Sequence, residues 1–183
     1  AAHRGAAFDA WRDAAAPLGV QDAVQAEDGL VILYTSGTTG LPKGALISQR
    51  AMVARAMLFS AEYGIRGDDG FIAWSPLFHM AATDHSLATL MLGGRVFVCD
   101  GLDLPRICDW AQDHAQGWLL AMPGMIEQLI ELLRVRGTPP RSVRMVGAMA
   151  DLVPRHQIEQ LTALVGAPYL NSFGSTETGL PPA

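Results

Sequence analysis

Apolar residues in this chain come in short blocks separated by helix-length amphipathic segments. "LVILY" (30–34) is a continuous apolar run of strand length, as expected for a strand buried on both faces. "GALIS" (44–48), "FIAWS" (71–75), "RVFVC" (95–99), "GWLLAM" (117–122), "SVRMVGA" (142–148) and "PYLNSF" (168–173) are further strand candidates. Between them, 49–62 places Met52, Ala56, Met57 and Phe59 at helical spacing, and 80–92 is a helix stopped at Gly93-Gly94. Residues 103–115 carry Leu104, Ile107 and Trp110 on one side, and 124–135 carry Met125, Ile126, Leu129, Ile130 and Leu133. Residues 153–165 complete the set. Strands alternating with helices of this length predict βαβ units, hence an α/β fold with a mainly parallel sheet flanked by helices. Ahead of this pattern, 5–15 reads as a short helix with Ala6, Phe8 and Trp11. A turn-rich connector through Pro17, Gly19 and Asp22 follows. The organisation is thus an N-terminal helix and connector over 1–27 and an α/β segment over 28–183.

Ligands of open parallel sheets gather at the C-terminal ends of the strands. The polar and glycine-rich stretches of this sequence fall there: 35–43, 76–79, 147–151 and 174–179. Four loops from one sheet edge would converge on one cleft.

The first of these loops has the most explicit chemistry. Thr35, Ser36, Thr38 and Thr39 supply hydroxyls, and Gly37 and Gly40 let backbone N–H groups turn toward a ligand. Such a run forms an anion nest suited to a polyphosphate. The loop ends at Lys43, the single lysine among thirteen basic residues. Lysine is a mobile point charge that can follow phosphates during reaction, whereas arginine grips in a fixed fork. The spacing differs from the Walker loop, because Gly37 and Gly40 are too close and Lys43 precedes Gly. A plain polar hairpin between two strands is the alternative.

Composition narrows the setting. Half of the 183 residues are apolar and 17% are charged, which suits one globular domain. A net charge of −5 does not favour nucleic acid or anionic lipid. No apolar stretch reaches the eighteen residues of a membrane span. Cys99 and Cys108 form no CxxC and no disulfide framework, so a reduced cytoplasmic compartment is expected. His79 and His85 have no third ligand at metal-binding spacing. Asp84-His85 interrupts an otherwise apolar helix, either as pocket lining or as a buried pair, the second being preferred.

Four ordered motifs carry a family resemblance. "YTSGTTGLPKG" (34–44) resembles the phosphate-binding loop of the adenylate-forming superfamily, which includes acyl-CoA synthetases, luciferases and peptide-synthetase adenylation domains. "SPLFHM" (75–80) resembles the segment whose His or aromatic lies beside the acyl carboxylate, here His79. "VGAMA" (146–150) is similar to the Gly-Gly-Ala-Pro segment, and "NSFGSTETG" (171–179) to the Tyr-Gly-x-Thr-Glu motif. Gly147, Ala148 and Met149 would then line the adenine and acyl pockets, with Val146 and Met149 bulkier than the usual Gly and Pro. Phe173, in the place of the usual Tyr, would stack on adenine, and Asn171, Ser172 and Gly174 would lie along the nucleotide. Thr176 would contact the α-phosphate and Glu177 would hold Mg²⁺, a cation that takes oxygen ligands.

The resemblance implies a two-step reaction using ATP, Mg²⁺ and coenzyme A. A carboxylic acid is activated as its acyl-adenylate and then passed to a thiol. It further implies an incomplete subdomain of the large adenylate-forming domain. A ribose-binding Asp, a hinge and a small C-terminal domain with the adenylation-step lysine are absent from these 183 residues. The remainder of the same polypeptide is therefore an expected partner. A nucleotide-binding module that does not complete catalysis, and an adenylation domain loading a carrier protein, are the alternatives.

Overall fold

The computed structural model of the chain describes residues 2–17, 19, 23–35 and 40–180. Its strands separate into two sheets. β1 (Gly29–Thr35) and β2 (Lys43–Ser48) form an antiparallel pair with Thr35 opposite Lys43 and Ile32 opposite Leu46. "LVILY" is thus not a doubly buried strand of the parallel sheet. The connection explains why: a parallel crossover needs about a dozen residues, and only 36–42 separate the two strands. Leu33 and Ile47 face inward onto Met52, while Ile32, Tyr34 and Leu46 alternate outward and are exposed.

The second sheet is the expected parallel one, with strand order β4-β3-β5-β6. It comprises β3 (Gly70–Ala73), β4 (Arg95–Val98), β5 (Gln116–Leu119) and β6 (Val143–Val146). The helices are α1 (Ala2–Ala14), α2 (Gln49–Tyr63), α3 (Met80–Met91), α4 (Leu104–Asp113), α5 (Ile126–Arg136) and α6 (Arg155–Val165). β3 and β5 are buried along their length, whereas β4 at the edge exposes Arg95 and Val98. Side chains divide between two faces by the period of two. Ile72, Leu119 and Val146 pack with α4, α5 and α6, and Trp118 and Met145 pack with Ala56 and Phe59 of α2.

Local signals set the ends of these elements. Ser48 caps α2 by accepting from the Ala51 amide at 3.3 Å, and Gly64 ends it at φ 64°. Met57, expected on the apolar face of α2, is exposed instead. Phe8 and Trp11 of α1 are likewise exposed, with ring centroids 5.9 Å apart. The expected last strand, 168–173, is reduced to one parallel bridge between Val146 and Tyr169. Gly147 breaks the ladder there: its φ is 99°, and the Tyr169 ring occupies the space a Cβ would need. Cys99 and Cys108 are both buried and free. Among the described residues no helix is long and apolar enough to cross a membrane.

Candidate active site

The segments beyond the C-terminal ends of β3, β5 and β6, together with 172–180 after α6, line a cavity of about 290 Å³. His79, Ala148, Met149, Ser172, Gly174 and Thr176 line it together, over a floor that includes Met80, Trp118, Leu120 and Met122. A larger groove of about 910 Å³ lies between α4, α5 and α6, and none of the candidate site residues lines it.

Each wall has a local cause. His79 is the N-cap of α3, where its Nδ1 accepts from the Ala81 amide at 3.1 Å. Nδ1 therefore carries a lone pair, and the neutral ring carries its proton on Nε2 as a donor. At the end of β6, the Trp118 indole donates to the Gly147 carbonyl at 2.7 Å, and the Ser172 amide donates to the Ala148 carbonyl at 2.7 Å. The first bond ties Gly147 to β5, and the second holds the 147–149 and 171–173 segments side by side. Asn171 Oδ1 accepts from the Ala150 amide at 3.0 Å, which leaves its NH₂ group as the free end. The Phe173 ring is 84% exposed and offers an open face.

Residues 175–179 form a tight turn, with paired backbone bonds between Ser175 and Gly179. Thr176 faces the cavity. Glu177 is exposed, and its carboxylate makes no hydrogen bond or ion pair among the described residues. A free carboxylate beside a hydroxyl is a hard-oxygen donor set, which fits Mg²⁺.

The phosphate-loop candidates stand apart from this wall. Thr35 and Lys43 close the β1–β2 ladder, where the Thr35 hydroxyl donates to the Lys43 carbonyl at 3.4 Å. Gly40 has φ 90°. Ser36, Gly37, Thr38 and Thr39 lie outside the described residues. Thr35 and Lys43 belong to the β1–β2 pair rather than to the parallel-sheet edge, so three of the four expected loops share that edge. The hairpin still approaches the cavity, because Met80 both lines it and packs against the Leu33–Ile47–Met52 cluster.

Two buried groups complete the site. His85 lines the cavity, stacked between Phe59 at 4.6 Å and Phe71 at 5.1 Å, and burial lowers its pKa to about 4. Asp84 pairs with Arg55 at 2.8 Å. The Arg55 guanidinium also donates to the carbonyls of Thr176 at 3.0 Å and Glu177 at 3.2 Å. Burial pushes the Asp84 carboxyl up, and the Arg55 charge and hydrogen bond pull it back. The preference for a simple buried Asp84–His85 pair is therefore corrected: Asp84 bonds Arg55, and His85 borders the cavity. Arg55 had escaped notice, although an arginine on the Met52–Ala56–Phe59 face of α2 was its available signal.

The family model for AMP-binding enzymes matches residues 3–181. The 2-succinylbenzoate–CoA ligase of Bacillus mycoides is 30% identical over 87% of this chain and 33% of its own length. The sulfoacetate–CoA ligase of Cupriavidus necator is 30% identical over 96% of this chain and 34% of its own length. Among solved structures, a malonyl-CoA ligase with methylmalonyl-CoA and AMP bound is similar at a TM-score of 0.74 and 27% identity. It covers 88% of this chain and 36% of that one. An O-succinylbenzoate coenzyme A synthetase from Bacillus subtilis in complex with AMP shares the fold at a TM-score of 0.75 and 23% identity, over 93% of this chain and 43% of its own. The chain spans about a third of the length of these curated relatives.

Proposed function

We propose, given that this chain belongs to the AMP-binding enzyme family, that residues 28–183 are the nucleotide-binding segment of an AMP-forming acid–thiol ligase. The observation that carries this reading is the convergence of His79, Met149, Ser172 and Thr176 on one apolar-floored cavity, with the free Glu177 carboxylate beside it.

In the first half-reaction a carboxylate oxygen attacks the α-phosphorus of ATP, the acyl–phosphate bond forms, and pyrophosphate leaves. In the second, the thiol of coenzyme A attacks the acyl carbonyl and AMP leaves. Charge gathers on phosphate oxygens in the first transition state, where donors already in place are most effective. Thr176 would donate its hydroxyl to the α-phosphate, and Lys43 would follow the β- and γ-phosphates with Ser36, Thr38 and Thr39 of the same loop. Phe173 would stack on the adenine and the Asn171 amide would meet its edge. The Nε2 proton of His79 would orient the incoming carboxylate. Glu177 would hold Mg²⁺, which when bound would neutralise charge on the triphosphate.

The relatives' names concern an aryl dicarboxylate and a sulfonated acetate. A cavity of about 290 Å³ suits a small or aryl acid. ATP and coenzyme A as substrates and two free buried cysteines accord with a cytoplasmic setting.

The test is pyrophosphate exchange by the full-length protein over 2-succinylbenzoate, sulfoacetate, indoleacetate, malonate and short fatty acids, with Glu177→Gln alongside. The parent should exchange with at least one acid. Glu177→Gln should keep the fold and lose most of the exchange at limiting Mg²⁺. Unchanged exchange in that variant would count against the metal role of Glu177.

A further inference from the structure

Arg55 on α2 and Asp84 on α3 are 7% and 1% exposed, at the centre of the molecule beneath the 175–179 turn. The planar guanidinium divides its donors between two tasks. Nη1 donates to Asp84 Oδ2 at 2.8 Å, and Nη2 donates to the Thr176 and Glu177 carbonyls at 3.0 and 3.2 Å. Gly179 closes over the arginine stem so tightly that a Cβ there would stand 2.7 Å from Arg55 Nε. The turn therefore rests on the guanidinium through its backbone, while Thr176 lines the cavity and Glu177 is exposed.

As a stabilising element this pair is poorly made. The second carboxylate oxygen, Asp84 Oδ1, is buried with no hydrogen-bond partner among the described residues. Burying two charges is repaid only when their remaining groups are satisfied, and apolar side chains of similar volume usually fill such a space as well or better. Apolar side chains cannot, however, grip two carbonyls of a turn. A fork-shaped donor can, and lysine, with its single ammonium, cannot reproduce the planar spread.

We propose that Arg55 and Asp84 are positioning residues for adenylation: Asp84 fixes the guanidinium, and the guanidinium fixes the Thr176 and Glu177 carbonyls, setting where hydroxyl and carboxylate meet the α-phosphate and Mg²⁺. This rests on the roles proposed above for Thr176 and Glu177. Arg55 touches neither substrate nor metal. Its effect is carried by the turn, as with the outer partners that orient metal ligands.

The deciding variant is Arg55→Met/Asp84→Leu in the full-length protein, which removes both charges and fills their space with apolar side chains. Three quantities are measured: the unfolding midpoint, the Mg²⁺ concentration for half-maximal pyrophosphate exchange, and Mn²⁺ retention with ATP by electron paramagnetic resonance, which needs no turnover. The expected result is a midpoint close to the parent's, with half-saturating Mg²⁺ raised and Mn²⁺ affinity lowered by roughly 10- to 100-fold. The KM for the acid should be nearly unchanged. A folded variant with the parent's metal dependence overturns the inference. Should the double variant not fold, Arg55→Lys gives the same comparison, because it retains the charge opposite Asp84 and loses the fork. A parent-like metal requirement in Arg55→Lys then overturns the inference. Glu177→Gln separates the two levels: normal Mn²⁺ retention there removes the metal role of Glu177 and this inference with it. Impaired retention there, with parent-like retention in the Arg55 variants, removes the inference alone.

Discussion

His85 makes stability depend on pH in a calculable window. Its ring is sandwiched between Phe59 and Phe71, meets the edge of Trp118 at 4.4 Å, and uses Nδ1 to donate to the Ala81 carbonyl at 2.6 Å. Nε2 is buried without a partner among the described residues, so a second proton there would be an unpaired charge in an aromatic box. Burial accordingly lowers the pKa from 6.5 to about 4, and the Ala81 carbonyl only partly opposes it. The sign follows from proton counting. Between those two values the unfolded chain binds a proton that the folded chain does not, so stability rises with pH across the window. It is complete above 6.5, falls as the pH drops toward 4, and is lost from this source below that. The difference corresponds to about 3 kcal/mol. His85→Phe keeps a ring in the stack and removes the titration. Urea unfolding of both proteins between pH 4 and pH 7.5, followed by tryptophan fluorescence, isolates the effect as the difference between two curves. The variant should gain about 3 kcal/mol on the parent as the pH falls through the window. A difference that stays flat across it would mean that His85 is hydrated or paired when charged, and the burial reasoning would fail.

Two further outcomes are expected. Lys43→Ala in the full-length protein should lower adenylation efficiency by roughly 10- to 100-fold, the worth of one charged hydrogen bond. It should leave thioester formation from preformed acyl-adenylate nearly untouched, and equal loss in both half-reactions would make Lys43 a structural residue of the hairpin. Burial raises the Cys108 thiol to about 11, and Cys99 is also buried. Neither should react appreciably with a disulfide reagent at pH 8 until the protein is unfolded, and a rapid native-state reaction would contradict the packing.

The α/β alternation was legible because its signal is long-range and redundant: three helices, α3, α4 and α5, separate the four parallel strands β3 to β6. "LVILY" was misplaced because a short apolar run has the same appearance in a buried parallel strand and in a hairpin with one exposed apolar face. The length of the 36–42 connection was the better guide. "PYLNSF" failed as a strand for a reason outside its own composition: the positive φ of Gly147 interrupts the neighbour it would have paired with.

The candidate site divides along a similar line. His79, Ala148, Met149, Ser172 and Thr176 could be found in loops because glycine and hydroxyl clusters at strand ends have few other reasons to occur there. Arg55 and His85 sit on helices, where local pattern explains most residues as packing. What distinguished them was a charge or an imidazole on a face otherwise apolar, a cost that must be offset by a partner. Asp84 was visible in that way, and its partner had to lie on another helix with the same anomaly. Only Arg55, among Met52, Ala56 and Phe59, satisfied that description within α2. The support beneath the 175–179 turn is thus readable when opposite charges on two buried helix faces are treated as one observation, and α3 shows the result in its own sequence: His79 at its cap, Asp84 bound to Arg55 under the turn, and His85 at the cavity wall.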